Sequence, residues 1–284
     1  MAQIKKKHLA NFGKNVFCYA LLIAITIFCI FPIAWIFKTS FETPQFIRNP
    51  NIQWIPLKFT LENYKSVLNN PNAMIGKSFM NSLIVSLIST AISLLITTMA
   101  GYALSRWNFH GKNTLNVYLL LVNMVPGTLI LISMFIILNK LHLINTHIGL
   151  IFFYISTGLT LATWMLKGYF DSIPVDIEEQ AMIDGADRMT VIRKIIMPLA
   201  APGIFATGAY IFLKNWNEYM AASTILQKSE LRTLSVQIVN FMGFQRVEWG
   251  PIMAYSVIVM IPSSVMFIIA QKKMVAGLTA GFSK

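Results

Sequence analysis

Few residues in this 284-residue chain carry chemistry, because only 12% are charged. Lys214 and Glu218 lie four positions apart in an otherwise apolar stretch, so on a helix they could face each other as an ion pair. Acidic residues gather in a second place, the polar segment Phe170 to Ala201, which holds Asp176, Glu179, Asp184 and Asp187. Gly76-Lys77-Ser78 ends like a phosphate-binding loop, but Pro71 stands where that loop needs its first glycine. The chain therefore has no nucleotide-binding motif and is not expected to hydrolyse ATP by itself. His8, His110, His142 and His147 fall outside the apolar runs with no ligand spacing, so no metal is expected. Cys18 and Cys29 sit eleven residues apart in one apolar run. That is about 16 Å along a helix, too far for a disulfide.

The elements that must position these groups are set by composition. Hydrophobic residues make up 56% of the chain, whereas a soluble domain carries about 25% charge. The net charge of +12 is spread between long apolar runs rather than clustered. That excludes a nucleic-acid surface, which needs a concentrated basic patch. About 20 apolar residues cross a bilayer as a helix. Six stretches qualify, at about 15–37, 80–104, 115–138, 148–169, 203–226 and 250–271. The expected fold is thus an all-α membrane protein of six transmembrane helices. The first run is too long for a signal-peptide core and lacks a small-residue cleavage site, so it reads as a retained helix. Pro126-Gly127 marks a kink or soft point in the third span.

Six spans put both termini on one side. Thirteen lysines and arginines fall on that side and nine on the other, with Lys214 inside a span. The bias points to cytoplasmic termini. It places the 170–201 loop and the 271–284 tail in the cytoplasm, and residues 39–79 and 227–249 outside.

Within the polar loop, Asp176 and Glu179 are spaced as a capping box after Pro174, and Gly185 offers a corner. Asp187 is placed to cap a second helix with Val191, Ile192, Ile195 and Ile196 on its apolar face. Pro198 and Pro202 are expected to end that helix before the next span. The loop reads as two short helices around a glycine. From the pattern alone it could lie on lipid headgroups or serve as a docking handle. For Lys214 and Glu218 two readings also stay open. Intramembrane charges usually face a bundle interior or wet cavity. The pair, with Asn215, Trp216, Asn217 and Tyr219, could line a solute path, or it could be a local ion pair near the outer interface.

Glu179-Gln180-Ala181, Asp184-Gly185-Ala186 and Ile195-Ile196-Met197-Pro198-Leu199 resemble the EAA loop of binding-protein-dependent ABC importer permeases, most of all the MalG-like subunits of sugar importers. Asn81-Ser82-Leu83-Ile84, Gly101-Tyr102-Ala103-Leu104-Ser105-Arg106, Trp216-Asn217-Glu218-Tyr219 and the tail Gly277-Leu278-Thr279-Ala280-Gly281 extend the resemblance over nearly the whole chain. Gln180 departs from the pattern, which has alanine there. The resemblance implies the type I importer architecture, with the loop docking as a coupling helix on a cytoplasmic ATPase. Glu179, Ala181, Asp184, Gly185, Ala186 and Pro198 would lie at that joint. Gly277, Leu278, Thr279 and Gly281 would make a second ATPase contact. It further implies a MalF-like second permease subunit, two ATPase subunits that bind ATP and Mg, and an extracytoplasmic substrate-binding protein met by the 227–249 loop. In maltose-type importers the sugar is held mainly by the other permease subunit.

Two other classes compete. A self-contained ion-coupled secondary transporter would need coupling-ion sites at mid-membrane and often an internal repeat; no repeat is evident. An intramembrane enzyme would need a Ser–His pair, paired aspartates or clustered histidines within the spans; none is present in the sequence.

Overall fold

The computed structural model describes the backbone of residues 2–47, 54, 58–242 and 247–282, and the side chains of residues 14–47, 54, 58–242 and 247–271. Among the described residues no β-strand forms, and an isolated bridge joins Met242 to Val247. The principal helices are α1 (Ala2–Ser40), α2 (Ile75–Arg106), α3 (Lys112–Met124), α4 (Gly127–Lys140), α5 (His147–Asp171), α6 (Asp176–Ile183), α7 (Arg188–Trp216), α8 (Met220–Ile225) and α9 (Trp249–Phe282). Five of the described helices are long and apolar enough to cross a bilayer, or six if the bent pair α3–α4 counts as one span.

The chain forms two compact units, Met1–Asn70 with Phe241–Ile258, and Pro71–Asn240 with Val259–Lys284. In the first, Asn63 ties down the end of α1 by donating its carboxamide to the carbonyls of Ser40 and Glu42 at 2.9 and 2.8 Å. Lys38 pairs with Glu42 one turn on. The apolar stretch of α1 from Lys14 onward is almost wholly exposed, as befits a helix whose solvent is lipid.

The second unit is built on α2 and α5. Small residues recur every three or four positions along α2, at Ser82, Ser86, Ser89, Ser93, Thr97 and Gly101, and all are buried. In lipid such a stripe lets two backbones approach closely. A Cβ at Gly101 would meet the Leu166 side chain and the Lys167 nitrogen at 3.0 Å, so α2 and α5 touch nearly backbone to backbone there. The stripe's hydroxyls are partly satisfied by their own helix, as Ser89 donates to the Val85 carbonyl at 2.6 Å and Thr97 to the Ser93 carbonyl at 2.7 Å. Thr146 caps α5 by accepting from the Gly149 amide at 3.0 Å.

Three expectations about the spans need correction. The third span is not one helix: α3 and α4 meet at 96°. Proline pushes the residue before it into extended backbone. Val125 (ψ 128°) and Pro126 (ψ 128°) are both extended, so the chain turns rather than kinks. The helix that carries the fifth apolar run does not begin near residue 203, since α7 runs unbroken from Arg188. Nor do Pro198 and Pro202 end the loop's second helix. A π-helical turn, Ile192–Ile196, ends two residues before Pro198. Such a wider turn shifts the hydrogen-bond register and absorbs the bond that a proline cannot make. The helix ends instead at Asn217, and Glu218 and Tyr219 separate it from α8.

Candidate functional site: the loop joint and the membrane cavity

The loop between α5 and α7 is the first site. α6 begins at Asp176, behind Val175, which gives no side-chain cap, so the expected capping box is not formed. Asp187 does stand at the start of the next helix with extended backbone, and the Thr190 hydroxyl and the amides of Thr190 and Met189 hold its carboxyl below the usual carboxylate range. The corner itself is well defined. Gly185 has φ +91°, and a Cβ there would meet nothing within 4 Å, so conformation rather than crowding calls for glycine. The Gly185 amide donates to the Met182 carbonyl at 3.1 Å and the Ala186 amide to the Ala181 carbonyl at 3.0 Å. These two bonds are the Schellman closure of α6. Ala181 and Ala186 are thus the backbone staples of the corner, and both are half-buried.

Glu179, Asp184, Gly185 and Pro198 are exposed, together with Met182 and Ile183, the last 83% exposed. The adjacent Glu178 behaves oppositely and is buried. Its carboxylate accepts from the Tyr102 hydroxyl at 2.9 Å and pairs with the Arg106 Nε. The Arg106 guanidinium also donates to the carbonyls of Phe170 and Ile173, each at 3.0 Å, and to the Ser105 hydroxyl at 3.0 Å. Arg106 therefore satisfies carbonyls at the end of α5 while holding α6. The Tyr102 ring packs edge-on to both Phe170 and Trp107, and Arg188 lies over the Trp107 ring at 4.8 Å. Sequence reasoning assigned Glu178 no role, and it marked Tyr102 and Arg106 only as part of the family-like stretch Gly101 to Arg106. The available signal was a glutamate beside Ile177 and Ala181, on the face that packs inward.

The second site is a cavity of about 630 Å³ inside the second unit. The α3–α4 corner supplies one wall through Asn123 and Gly127, α5 another through Tyr154, Thr157 and Thr160, and α7 a third through Lys214 and Asn215. Lys214 and Glu218 both line it, but they do not form an ion pair. The Lys214 ammonium donates to the Thr157 carbonyl at 2.9 Å. Glu218 lies past the helix end, where its carboxylate accepts from the amides of Ala221 and Ala222 at 2.8 and 2.9 Å and from the Tyr154 hydroxyl at 3.1 Å. It caps α8. Asn215 is buried and donates to Ser89 at 2.9 Å. Trp216, Asn217 and Tyr219 do not line this cavity. Trp216 is buried against Phe79 and Phe212, Asn217 faces a separate groove with Leu213 and Val259, and Tyr219 is exposed.

At the opposite end of α2 from Arg106, Asn81 donates to the carbonyls of Glu230 and Arg232 at 3.0 and 3.1 Å, and Ser82 accepts from the Leu234 amide at 2.7 Å. Asn145 accepts from the amides of Gln227 and Lys228. The 227–234 part of the next loop is thereby fastened to the start of α2 and to the turn before α5. Gly243 to Arg246 lie outside the described residues, as do the side chains of the tail positions Gly277, Leu278, Thr279 and Gly281.

Residues 93–275, which take in α6, its corner and the cavity's α5 and α7 walls, match the family described as binding-protein-dependent transport system inner membrane component. The chain belongs to this family. It is 37% identical over 264 residues to the trehalose/maltose transport system permease protein MalG of Thermococcus litoralis, covering 92% of this chain and 94% of that one. To the sulfoquinovosyl glycerol transport system permease protein SmoH of Agrobacterium fabrum it is 35% identical, covering 89% and 88%. The fold is shared with a chain of a bacterial ABC transporter involved in the import of alginate, at a TM-score of 0.76 and 20% identity, over 91% of this chain and 95% of that chain. The protein is thus an all-α, multi-pass membrane subunit with the fold of an ABC importer permease.

Proposed function

We propose that this family member is the permease subunit of an ATP-driven importer for a carbohydrate or related solute, forming half of the pathway. The observation that carries this reading is the loop joint. A stapled corner presents Glu179, Met182, Ile183 and Asp184 to solvent, while the same loop is bonded into the base of α2 and α5. An exposed apolar and acidic tip on a rigidly rooted loop suits a lever that another protein pushes. The lever would dock on one of two ATPase subunits, which bind ATP and Mg. The acidic groups of the tip would meet basic groups of that partner. Gly277 to Gly281 would supply a second contact.

A second, MalF-like permease chain would complete the pathway, and the fastened outer loop would meet an extracytoplasmic binding protein. Both termini would be cytoplasmic, in keeping with the lysine and arginine bias. Carbohydrate as the cargo class is supported by the sugar and sugar-glycerol transport named for the relatives. The cavity suits such cargo, since it combines an apolar corner with Asn123, Thr157, Thr160, Lys214 and Glu218, an arrangement able to hydrogen-bond hydroxyl groups. Cargo would pass by alternating access as α5 and α7 shift with the loop.

Affinity capture of the tagged chain in mild detergent tests the assignment. Stoichiometric recovery of an ATPase and a second permease chain is expected. A lone chain that drives uptake into vesicles without ATP would overturn it.

A further inference from the structure

Loop 170–201 is continuous in sequence with α5 and α7, so any push on its tip reaches those two helices directly. The second unit contains a route to a third helix that sequence does not connect. Glu178 sits on the inward face of α6, buried, and is held by Tyr102 and Arg106 from the last turn of α2. Arg106 simultaneously holds two carbonyls at the end of α5. A buried carboxylate paired this way is difficult to pull apart, because separation leaves a charge without a partner in a poorly solvated site. The α2 helix is 32 residues long, about 48 Å at 1.5 Å per residue, and has no proline. Its far end holds the outer loop through Asn81 and Ser82.

We propose that Tyr102, Arg106 and Glu178 form a clamp that makes the coupling corner and α2 move as one body. The loop's displacement is then delivered along α2 to the outer loop, as well as along α5 and α7. The clamp residues are positioning residues: none of them is at the exposed tip. The transmission role rests on the importer reading above, whereas the clamp itself does not.

The test uses the full chain in lipid nanodiscs, with Cys18 and Cys29 replaced by serine and nitroxides at Leu95→Cys on α2 and Gln180→Cys on α6, both exposed positions. Pulsed electron-spin distance measurement should give one narrow Leu95–Gln180 distribution. Glu178→Gln should broaden it at least twofold, since removing a charged partner shifts the released population by roughly tenfold or more. Tyr102→Phe, which deletes only one hydroxyl donor, should broaden it less. Asp176→Asn, a carboxylate removed from the exposed face, should leave the width unchanged. A width unaltered by Glu178→Gln overturns the clamp. So does broadening that is accompanied by a more mobile Leu95 spectrum, which would mean general loosening of α2. Co-purification of the ATPase with the unaltered chain is scored separately. If no ATPase is recovered but Glu178→Gln still broadens the distribution, the clamp stands and the importer reading fails.

Discussion

Glu218 offers a direct contest between the pairing expected from helical spacing and the cap found in the fold. Glu218→Gln keeps the side chain's size and removes its charge. The carboxylate accepts three hydrogen bonds, from the Ala221 and Ala222 amides and the Tyr154 hydroxyl. An amide has one acceptor oxygen, so with its carbonyl turned to Ala222 and Tyr154, its NH2 group faces the Ala221 N–H. One buried donor left unsatisfied costs about 1–3 kcal/mol. The two remaining bonds also lose their charge assistance, roughly half their strength. Bonds measured inside membranes lie at the low end of such ranges, so about 2 kcal/mol is the expected loss in closing α8. Since 1.4 kcal/mol is a factor of ten, the amides of Ala221 and Ala222 should exchange with deuterium about thirtyfold faster. Lys214→Met removes the other charge but only the bond to Thr157, so exchange at the same two amides should change less than about threefold. Equal acceleration in both variants would restore the ion pair and refute the cap. So would unchanged exchange in Glu218→Gln.

Other outcomes follow from single contacts. Gly203→Ala drives a Cβ into the Tyr169 ring; overpacking of this kind costs about 1–3 kcal/mol, so the thermal midpoint in detergent should fall, and adding Tyr169→Ala should recover part of it. Asn145→Ala removes the acceptor for the amides of Gln227 and Lys228, worth about 2 kcal/mol together, and trypsin should cut after Lys228 more than tenfold faster. Gly185→Asp meets no steric obstacle but forces a side chain onto φ +91°, a strain of about 1–2 kcal/mol. The chain should still reach the membrane while ATP hydrolysis no longer drives uptake, and normal uptake would sink the coupling assignment.

Much was legible in the sequence because it follows from composition or from one residue's own conformational limits. Bilayer thickness makes apolar run length a direct measure of a spanning helix, which is why the first, second, fourth and last spans lie within α1, α2, α5 and α9. Gly185 could be read as a corner because few other residues adopt its φ. Local rules failed where a neighbour decided the outcome. Proline marks both the α3–α4 corner and the interior of α7. It turned the chain in the first case and was absorbed by a π-helical turn in the second, and nothing in the proline itself distinguishes the two.

Adjacent residues on a helix point about 100° apart, so Glu178 and Glu179 differ only in which one meets α2. That choice depends on Arg106, 72 positions away. Lys214 and Glu218 have the spacing of a pair, yet Thr157 and the α8 amides reach them first. The sequence by itself determined the membrane class, the family likeness and the glycine corner, since each rests on run length, motif or backbone freedom. Only the tertiary structure decided which charges are buried and what holds them, because a charge leaving water takes the donors that packing brings within reach.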